Sequence, residues 1–177
     1  MYKKKGGLYT ETMETSESLN APKKDYNAPA HTTEHILNRT MDSMFHCGRA
    51  FSAHVEARKS KCDYHFAPDK VPGETELKAV EEKVNEVLGN NLPVTSVVVS
   101  REEASVILEP YGGLVEERLP EEAGNMLRLV YVGDYDVCPC IGKHVENTSE
   151  TGVFKIISSS YGNGVFRLRW KLLPQAL

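Results

Sequence analysis

The stretch HTTEH at residues 31–35, together with CIGKH at residues 140–144, decides how this chain folds. Each stretch carries two metal-ligand side chains four positions apart, His31 and His35 in the first and Cys140 and His144 in the second. Residues four apart lie on one face of a helix, so both imidazoles of the first stretch can reach the same ion. Three imidazole nitrogens and one thiolate suit tetrahedral Zn²⁺, whereas Ca²⁺ and Mg²⁺ prefer oxygen. The sequence therefore predicts a zinc site that joins two distant segments.

The first stretch lies in a predicted helix that begins after Asn27 and runs to about Phe45. A proline is tolerated in the first turn of a helix, and apolar residues then recur at helical spacing. The apolar stripe consists of Leu37, Met41, Met44 and Phe45. His31 and His35 lie on a polar strip beside it, which is where the wall of a cleft is expected.

The rest of the chain alternates between helical and strand patterns. A second helix is predicted over residues 74–88, and a single helical turn over residues 101–104. Strands are predicted over residues 50–57, 61–66, 94–99, 127–132, 153–159 and 165–173, the third of them buried and the last two forming a hairpin. These elements predict an α+β fold in which helices pack on a mostly antiparallel sheet. The zinc site then lies between the first helix and the C-x-x-x-H segment.

Length and composition fit one ordinary globular domain. The chain has 177 residues, of which 40% are hydrophobic and 26% charged. Residues 1–27 are polar and predict an N-terminal arm, and residues 28–177 predict a single domain. No apolar run is long enough to cross a membrane, and no apolar segment follows the N-terminal lysines as it would in a secretory signal. Four cysteines in such a chain are thiols or ligands rather than a disulfide framework, which predicts a cytoplasmic protein.

The net charge of −4 argues against a protein that coats nucleic acid without specificity. A local basic patch would still be enough to grip the end of an RNA. The candidates for such a basic rim, which would contact an acceptor stem, are Arg58, Lys59, Lys61, Arg167, Arg169 and Lys171, with solvated strand faces as the alternative interpretation.

The flanks of both motifs resemble the editing domain of alanyl-tRNA synthetases. The segment DVCPCIGKHVENTSETGVFKI at residues 136–156 is similar to the family pattern C-x-x-x-H-V-x-x-T-x-x-x-G-x-x-K-I. HTTEHIL at residues 31–37 resembles the H-x-x-x-H helix of the family, and KCDY at residues 61–64 its R-F-D-F strand. The resemblance covers about residues 29–173. Freestanding AlaX-type proteins share the pattern, and the second additional domain of threonyl-tRNA synthetases carries a close variant.

This resemblance implies a freestanding trans-editing hydrolase that uses Zn²⁺. Its reaction is hydrolysis of the ester between a wrong amino acid and the 3′ end of tRNA, for example seryl- or glycyl-tRNA(Ala). The partner is then the acceptor end of aminoacyl-tRNA, bound by a monomer or a homodimer. His31, His35, Cys140 and His144 would hold the metal, and Thr32 would contact the amino acid.

Two departures from the family pattern bear on the substrate. Ile141 and Lys143 stand where many members have glycine and threonine. A larger side chain beside the ligands could shrink the amino-acid pocket, and Lys143 could contact a phosphate. Cys138 lies two residues before Cys140 and could compete for the metal.

Two other functions stay open from the sequence. One is a noncatalytic RNA- or protein-binding module in which zinc is a structural clamp. The other is a zinc hydrolase that acts on a different small acyl substrate. An assay for hydrolysis of mischarged tRNA would distinguish these two alternatives from the editing function.

Overall fold

The computed structural model describes residues 27–56, 58–116, 119 and 123–175. Its helices are α1 (Ala28–Phe45), α2 (Glu74–Gly89) and α3 (Arg101–Leu108). Its strands are β1 (Ser52–His54), β2 (Ser60–His65), β3 (Val94–Ser100), β4 (Met126–Val132), β5 (Asp136–Pro139), β6 (Val153–Gly162) and β7 (Val165–Leu173). The arm predicted over residues 1–27 lies outside the described residues, apart from Asn27. Within the described ranges, no helix is long and apolar enough to cross a bilayer.

The strands form two antiparallel sheets. The first has four strands in the order β1-β2-β7-β6, and the second has three in the order β3-β4-β5. Every strand pair in the described ranges is antiparallel. The predicted α+β fold is therefore confirmed, with two sheets where the sequence suggested one.

Helix α1 begins and ends where its local chemistry requires. The side chain of Asn27 accepts a hydrogen bond of 3.0 Å from the backbone N–H of Ala30, which satisfies one of the free donors of the first turn. His46 adopts the left-handed conformation with φ of 52° and ends the helix. Leu37 and Met41 are fully buried, but Met44 at the end of the stripe is 38% exposed.

The larger core fills the space between α1, α2 and the inner face of the four-stranded sheet. The predicted alternation of the last strand is confirmed, since Phe166, Leu168 and Trp170 on β7 are at most 1% exposed. Each fully buried side chain of this size contributes about 1.5–3 kcal/mol. The charged residues of β7 lie on the opposite, outer face of the sheet.

The structure differs from the predicted elements in several places. The strand predicted over residues 50–57 is confined to Ser52–His54. Strand β3 is not buried: it is an edge strand, and Val97 is 44% exposed. Helix α3 begins at a capping box in which the side chains of Ser100 and Glu103 each accept from the other's backbone N–H. It extends past the predicted turn to Leu108, which is buried with Ala104 in the second core cluster. Strand β5 was not predicted, since it has only four residues and contains Asp136 and Pro139, two residue types that are rare in strands.

An ion pair on the outer face of the four-stranded sheet gives a pH-dependent stability. Both carboxylate oxygens of Asp63 accept hydrogen bonds of 2.7 Å from the guanidinium of Arg167 on the neighbouring strand. The hydrogen bonds from Arg167 hold the pKa of Asp63 below its ordinary value, although burial opposes this. Because the folded-state pKa is lower, the pair stabilises the fold at neutral pH, and this contribution is lost as the pH falls below about 4.

We expect Asp63→Asn to lower the urea midpoint at pH 7 and to have a smaller effect at pH 3. Circular dichroism at both pH values measures this difference. Asp69→Asn, at an exposed position that forms no ion pair within the described part of the chain, serves as the control. An equal loss at both pH values would mean that packing, rather than charge, explains the effect of Asp63.

Candidate metal centre and its cavity

The two motifs converge in the structure. His31 and His35 lie on α1, and Cys140 and His144 lie on the loop between β5 and β6. One ligand atom from each of these four residues lies within 4.8 Å of those of the other three. The Sγ atom of Cys140 is 3.4 Å from Nε2 of His31, and the ring centroids of His31 and His144 are 4.2 Å apart. The predicted meeting of the two segments is thus present in the fold.

Two of the histidines are oriented by partners on their Nδ1 atoms. The Nδ1–H of His31 donates to the backbone carbonyl of Lys143 at 3.0 Å. The Nδ1 atom of His144 lies 3.0 Å from the hydroxyl oxygen of Thr32, which also accepts from the backbone N–H of Val145. Outer contacts of this kind fix the ring and leave Nε2 for a metal. Within the described chain, Nε2 of His144 is buried and has no hydrogen-bond partner.

The third histidine contacts a second polar group on its other side. Nδ1 of His35 lies 3.2 Å from the Sγ atom of Cys138 and 4.0 Å from a carboxylate oxygen of Asp136. Asp136 is fully buried and forms an ion pair with Arg49. The Sγ atom of Cys138 is also 3.7 Å from Nε2 of His35, and Cys138, His35 and Asp136 form a second group that could hold a metal, whereas Cys140 belongs to the group that includes all three histidines.

The loop that carries Cys140 is held close to α1. The guanidinium of Arg128 on β4 donates to the carbonyls of Cys140 and Gly142 at 2.9 and 3.0 Å. A Cβ atom on Gly142 would lie 2.2 Å from Cε1 of His31, so only glycine permits this approach. The packing of His31 on the loop thus depends on the absence of a side chain at residue 142.

Burial keeps the histidines of this cluster uncharged. It lowers the pKa of His144 to about 2 and that of His35 well below its ordinary value. It also lowers the pKa of His31, although the hydrogen bond to the Lys143 carbonyl opposes this. Neutral imidazoles with a free lone pair are the form that binds a metal.

The thiolate form of Cys140, which is the form that binds a metal, needs a nearby cation to stabilise it. Burial raises the pKa of Cys140 to about 11, which favours the thiol over the thiolate. A divalent cation among the four side chains would offset the cost of the thiolate. The donor set, the partnerless Nε2 of His144 and the neutral histidines together fit Zn²⁺. The identity of the metal stays a prediction.

A cavity of about 340 Å³ opens beside the cluster. Its size is in the range of small-ligand sites. Polar side chains of α1, the segment after it and β5 contribute to the wall. They include His31, Glu34, His35, Asn38, Arg49 and Cys140.

Glu34 is the wall residue that the sequence analysis missed. Burial raises its pKa to about 7, although the charge of Arg49 opposes this. Its carboxylate accepts a hydrogen bond from the side-chain amide of Asn38. The oxygen of that amide accepts from the backbone N–H of Ala50 and from the hydroxyl of Tyr64, at 2.9 and 3.0 Å. Its position three residues after His31, on the same helix face, was a usable signal.

The structure places the other candidate residues away from the cavity wall. Thr32 is fully buried, and its hydroxyl contacts His144, which is a positioning contact rather than the expected contact with an amino acid. Arg167 is paired with Asp63 on the sheet. Arg58 and the side chain of Lys143 are exposed, and neither is among the described residues that line the cavity.

The chain is similar to part of the alanine–tRNA ligases. Residues 127–169, which include Cys140 and His144, match the Threonyl and Alanyl tRNA synthetase second additional domain. The alanine–tRNA ligases of Geobacillus kaustophilus and Streptococcus suis are each 32% identical, over 93% and 92% of this chain. That of Shouchella clausii is 35% identical over 78% of the chain. The chain spans only 15–17% of the length of these three proteins.

We expect Gly142→Ala to lower zinc affinity at least about tenfold, because the new methyl group displaces His31 from the cluster. Competition with a chromogenic chelator measures the affinity, and circular dichroism checks the fold. Ile141→Ala, at the exposed neighbouring position, is the matched control and should bind zinc like the unaltered protein. Equal affinities of the two variants would contradict the role assigned to Gly142.

Proposed function

Because this chain is an alanyl-tRNA synthetase-related protein of the editing-domain type, we propose that it hydrolyses the ester bond of mischarged aminoacyl-tRNA with the help of Zn²⁺. The substrate class is a tRNA that carries a small wrong amino acid, such as seryl- or glycyl-tRNA(Ala). His31, His35, Cys140 and His144 are the proposed zinc ligands.

One observation carries this proposal: the group of four metal-ligand residues opens onto a cavity. His31, His35 and Cys140 belong both to that group and to the wall of the 340 Å³ space. In a purely structural zinc site protein ligands fill all four positions, so direct catalysis here requires the coordination to expand, or one ligand to be displaced, on the side of the cavity. An ester group in this cavity would lie next to the ligand cluster, where its carbonyl can be polarised.

The chain's own residues would then position the ester and handle the proton. His31, His35, Cys140 and His144 would hold Zn²⁺, which would supply a Lewis acid for the carbonyl or for water once its coordination expands or one ligand is displaced. Glu34, whose carboxylate is held at the wall by Asn38, would take a proton from the water that attacks the carbonyl carbon and pass it to the departing ribose oxygen as the acyl–oxygen bond breaks. Arg49 places a fixed positive charge in the same wall, balanced by Asp136. Thr32 and the Lys143 carbonyl orient two of the histidines.

Deacylation of preformed tRNA tests the function directly. The substrates are seryl-, glycyl- and alanyl-tRNA(Ala), each incubated with the protein in the presence and absence of a chelator. We expect hydrolysis of one or both mischarged species, loss of that activity with the chelator, and recovery on addition of zinc. Inertness toward all three with the metal still bound would contradict the proposal and favour a binding module. Turnover of simple amino-acid esters without tRNA would favour a different acyl substrate.

We expect Glu34→Gln to lower the deacylation rate by about 100-fold or more, because the amide cannot accept the proton. Single-turnover assays measure the rate, and elemental analysis should find the metal retained. Glu34→Asp keeps a carboxylate and should recover part of the lost rate. Unchanged activity in Glu34→Gln would remove this residue from the mechanism.

A further inference from the structure

The outer face of the four-stranded sheet carries an unusual arrangement of positive charges. Lys61 on β2 lies directly opposite Arg169 on β7, and Lys171 is two residues further along β7. Directly opposed residues on antiparallel strands have Cβ atoms about 5 Å apart, and like charges in that position destabilise the sheet. The repulsion between these like charges therefore destabilises the sheet at this position.

Neighbouring cations on the same face are neutralised, but these three are not. Arg167 is paired with Asp63, and Lys155, which lies opposite Lys171, is paired with Glu81 at 2.7 Å. Among the residues that the structure describes, Lys61, Arg169 and Lys171 have no carboxylate within ion-pair distance. Arg169 contacts the hydroxyl of Ser160 at 3.5 Å, and Lys61 and Arg169 are near enough to Asp63 to help lower its pKa. A chain with a net charge of −4 thus keeps three adjacent cations without an ion pair on one face. Such a patch is complementary to a polyanion.

An exposed aromatic stack lies at the end of this face nearest the cavity. The ring of Phe51 stacks on that of His65, with centroids 4.0 Å apart and planes 10° from parallel, and Phe51 remains 47% exposed. His65 lies on the same face of β2 as Lys61, because the two are four residues apart on one strand. The distance along β2 between them is about 13 Å.

The Phe51–His65 stack is also connected to the wall of the cavity, through the chain and through backbone hydrogen bonds. Ala50, the residue before Phe51, lines the cavity, and its N–H donates to Asn38. The N–H of Phe51 donates to the carbonyl of Asp63 on β2 at 3.0 Å. Phe51 is therefore held at the junction of the cavity and the basic face. Flat exposed rings beside cations are the elements with which proteins bind single-stranded nucleic acid.

We propose that this face is the docking surface for the single-stranded 3′ end of an RNA. The phosphates lie over Lys61, Arg169 and Lys171 and a base near the 3′ end stacks on Phe51. From there the terminal ribose passes around the β1 edge of the sheet, next to Ala50, to the cavity on the α1 side. This inference rests on the proposed function for its choice of RNA over another polyanion. The assignment of this face as a binding surface rests on its three cations, on the register of β2 and β7, and on the stacking of Phe51 on His65.

Fluorescence anisotropy with two labelled RNA hairpins tests the docking surface, one blunt and one with a four-nucleotide single-stranded 3′ end. The triple variant Lys61→Gln, Arg169→Gln, Lys171→Gln should bind the second hairpin at least about tenfold more weakly and lower the slope of log K against log salt by about 2. A control triple variant away from this sheet face, Lys70→Gln, Lys78→Gln, Lys83→Gln, changes net charge equally and should bind within about twofold of the unaltered protein. Lys78 and Lys83 are paired with Glu82 and Glu86 on the same helix.

Phe51→Ala separates stacking from charge. We expect about tenfold weaker binding of the hairpin with the single-stranded end and little change for the blunt one. Equal weakening by the two triple variants would overturn the surface, since it would mean that only net charge matters. Equal loss for both hairpins in Phe51→Ala would overturn the stacking role.

Hydrolysis of the ester bond of mischarged aminoacyl-tRNA by the unaltered protein is scored separately. Ester hydrolysis without a difference in RNA binding between the triple variants overturns the docking surface alone. A clear difference in RNA binding without hydrolysis of any aminoacyl substrate overturns the proposed function alone. Tight binding of anionic lipid vesicles without binding of either hairpin would assign the face to a membrane and overturn the RNA proposal.

Discussion

The contact between α1 and the loop at residues 140–144 is the constraint on which the rest of the structure depends. It brings His31 and His35 against Cys140 and His144, and it requires a residue without a side chain at Gly142. Helix α1 lies on the four-stranded sheet and at the same time contacts β5 of the three-stranded sheet. The cluster is therefore formed where the two sheets meet through one helix. A cation held there by both segments would fasten the two halves of the fold together.

The same contact explains the electrostatics of the site. Three histidines and a thiol buried in one place exclude water from each other, so each favours its neutral form. Partners on the outer side of each imidazole then fix the direction of its lone pair. These are the carbonyl of Lys143, the hydroxyl of Thr32 and the pair of Cys138 with Asp136. A site with this preorganisation binds a metal without rearranging its ligands, and the adjacent cavity provides space for a substrate beside the metal.

The sequence predicted the parts of this fold that follow from local periodicity. The bounds of α1 and α2, the final hairpin and the alternation of β7 all appear in the pattern of apolar residues. Strand β3 was wrongly predicted to be buried, because a short apolar run does not show which side of a sheet stays open. Strand β5 and the roles of Glu34, Asp136 and Arg128 depend on contacts between residues far apart in sequence. Two motifs could predict that their side chains meet, but only the fold shows a cavity beside them.

X-ray absorption spectroscopy at the zinc edge tests the central claim most directly. On protein loaded with zinc, the account predicts a four-coordinate shell of three nitrogens at about 2.0–2.1 Å and one sulfur at about 2.3 Å. Cys140→Ser should remove the sulfur from that shell, whereas Cys138→Ser should leave it in place. A shell with two sulfurs, a shell without sulfur in the unaltered protein, or a sulfur that persists in Cys140→Ser would contradict the assignment of the four ligands.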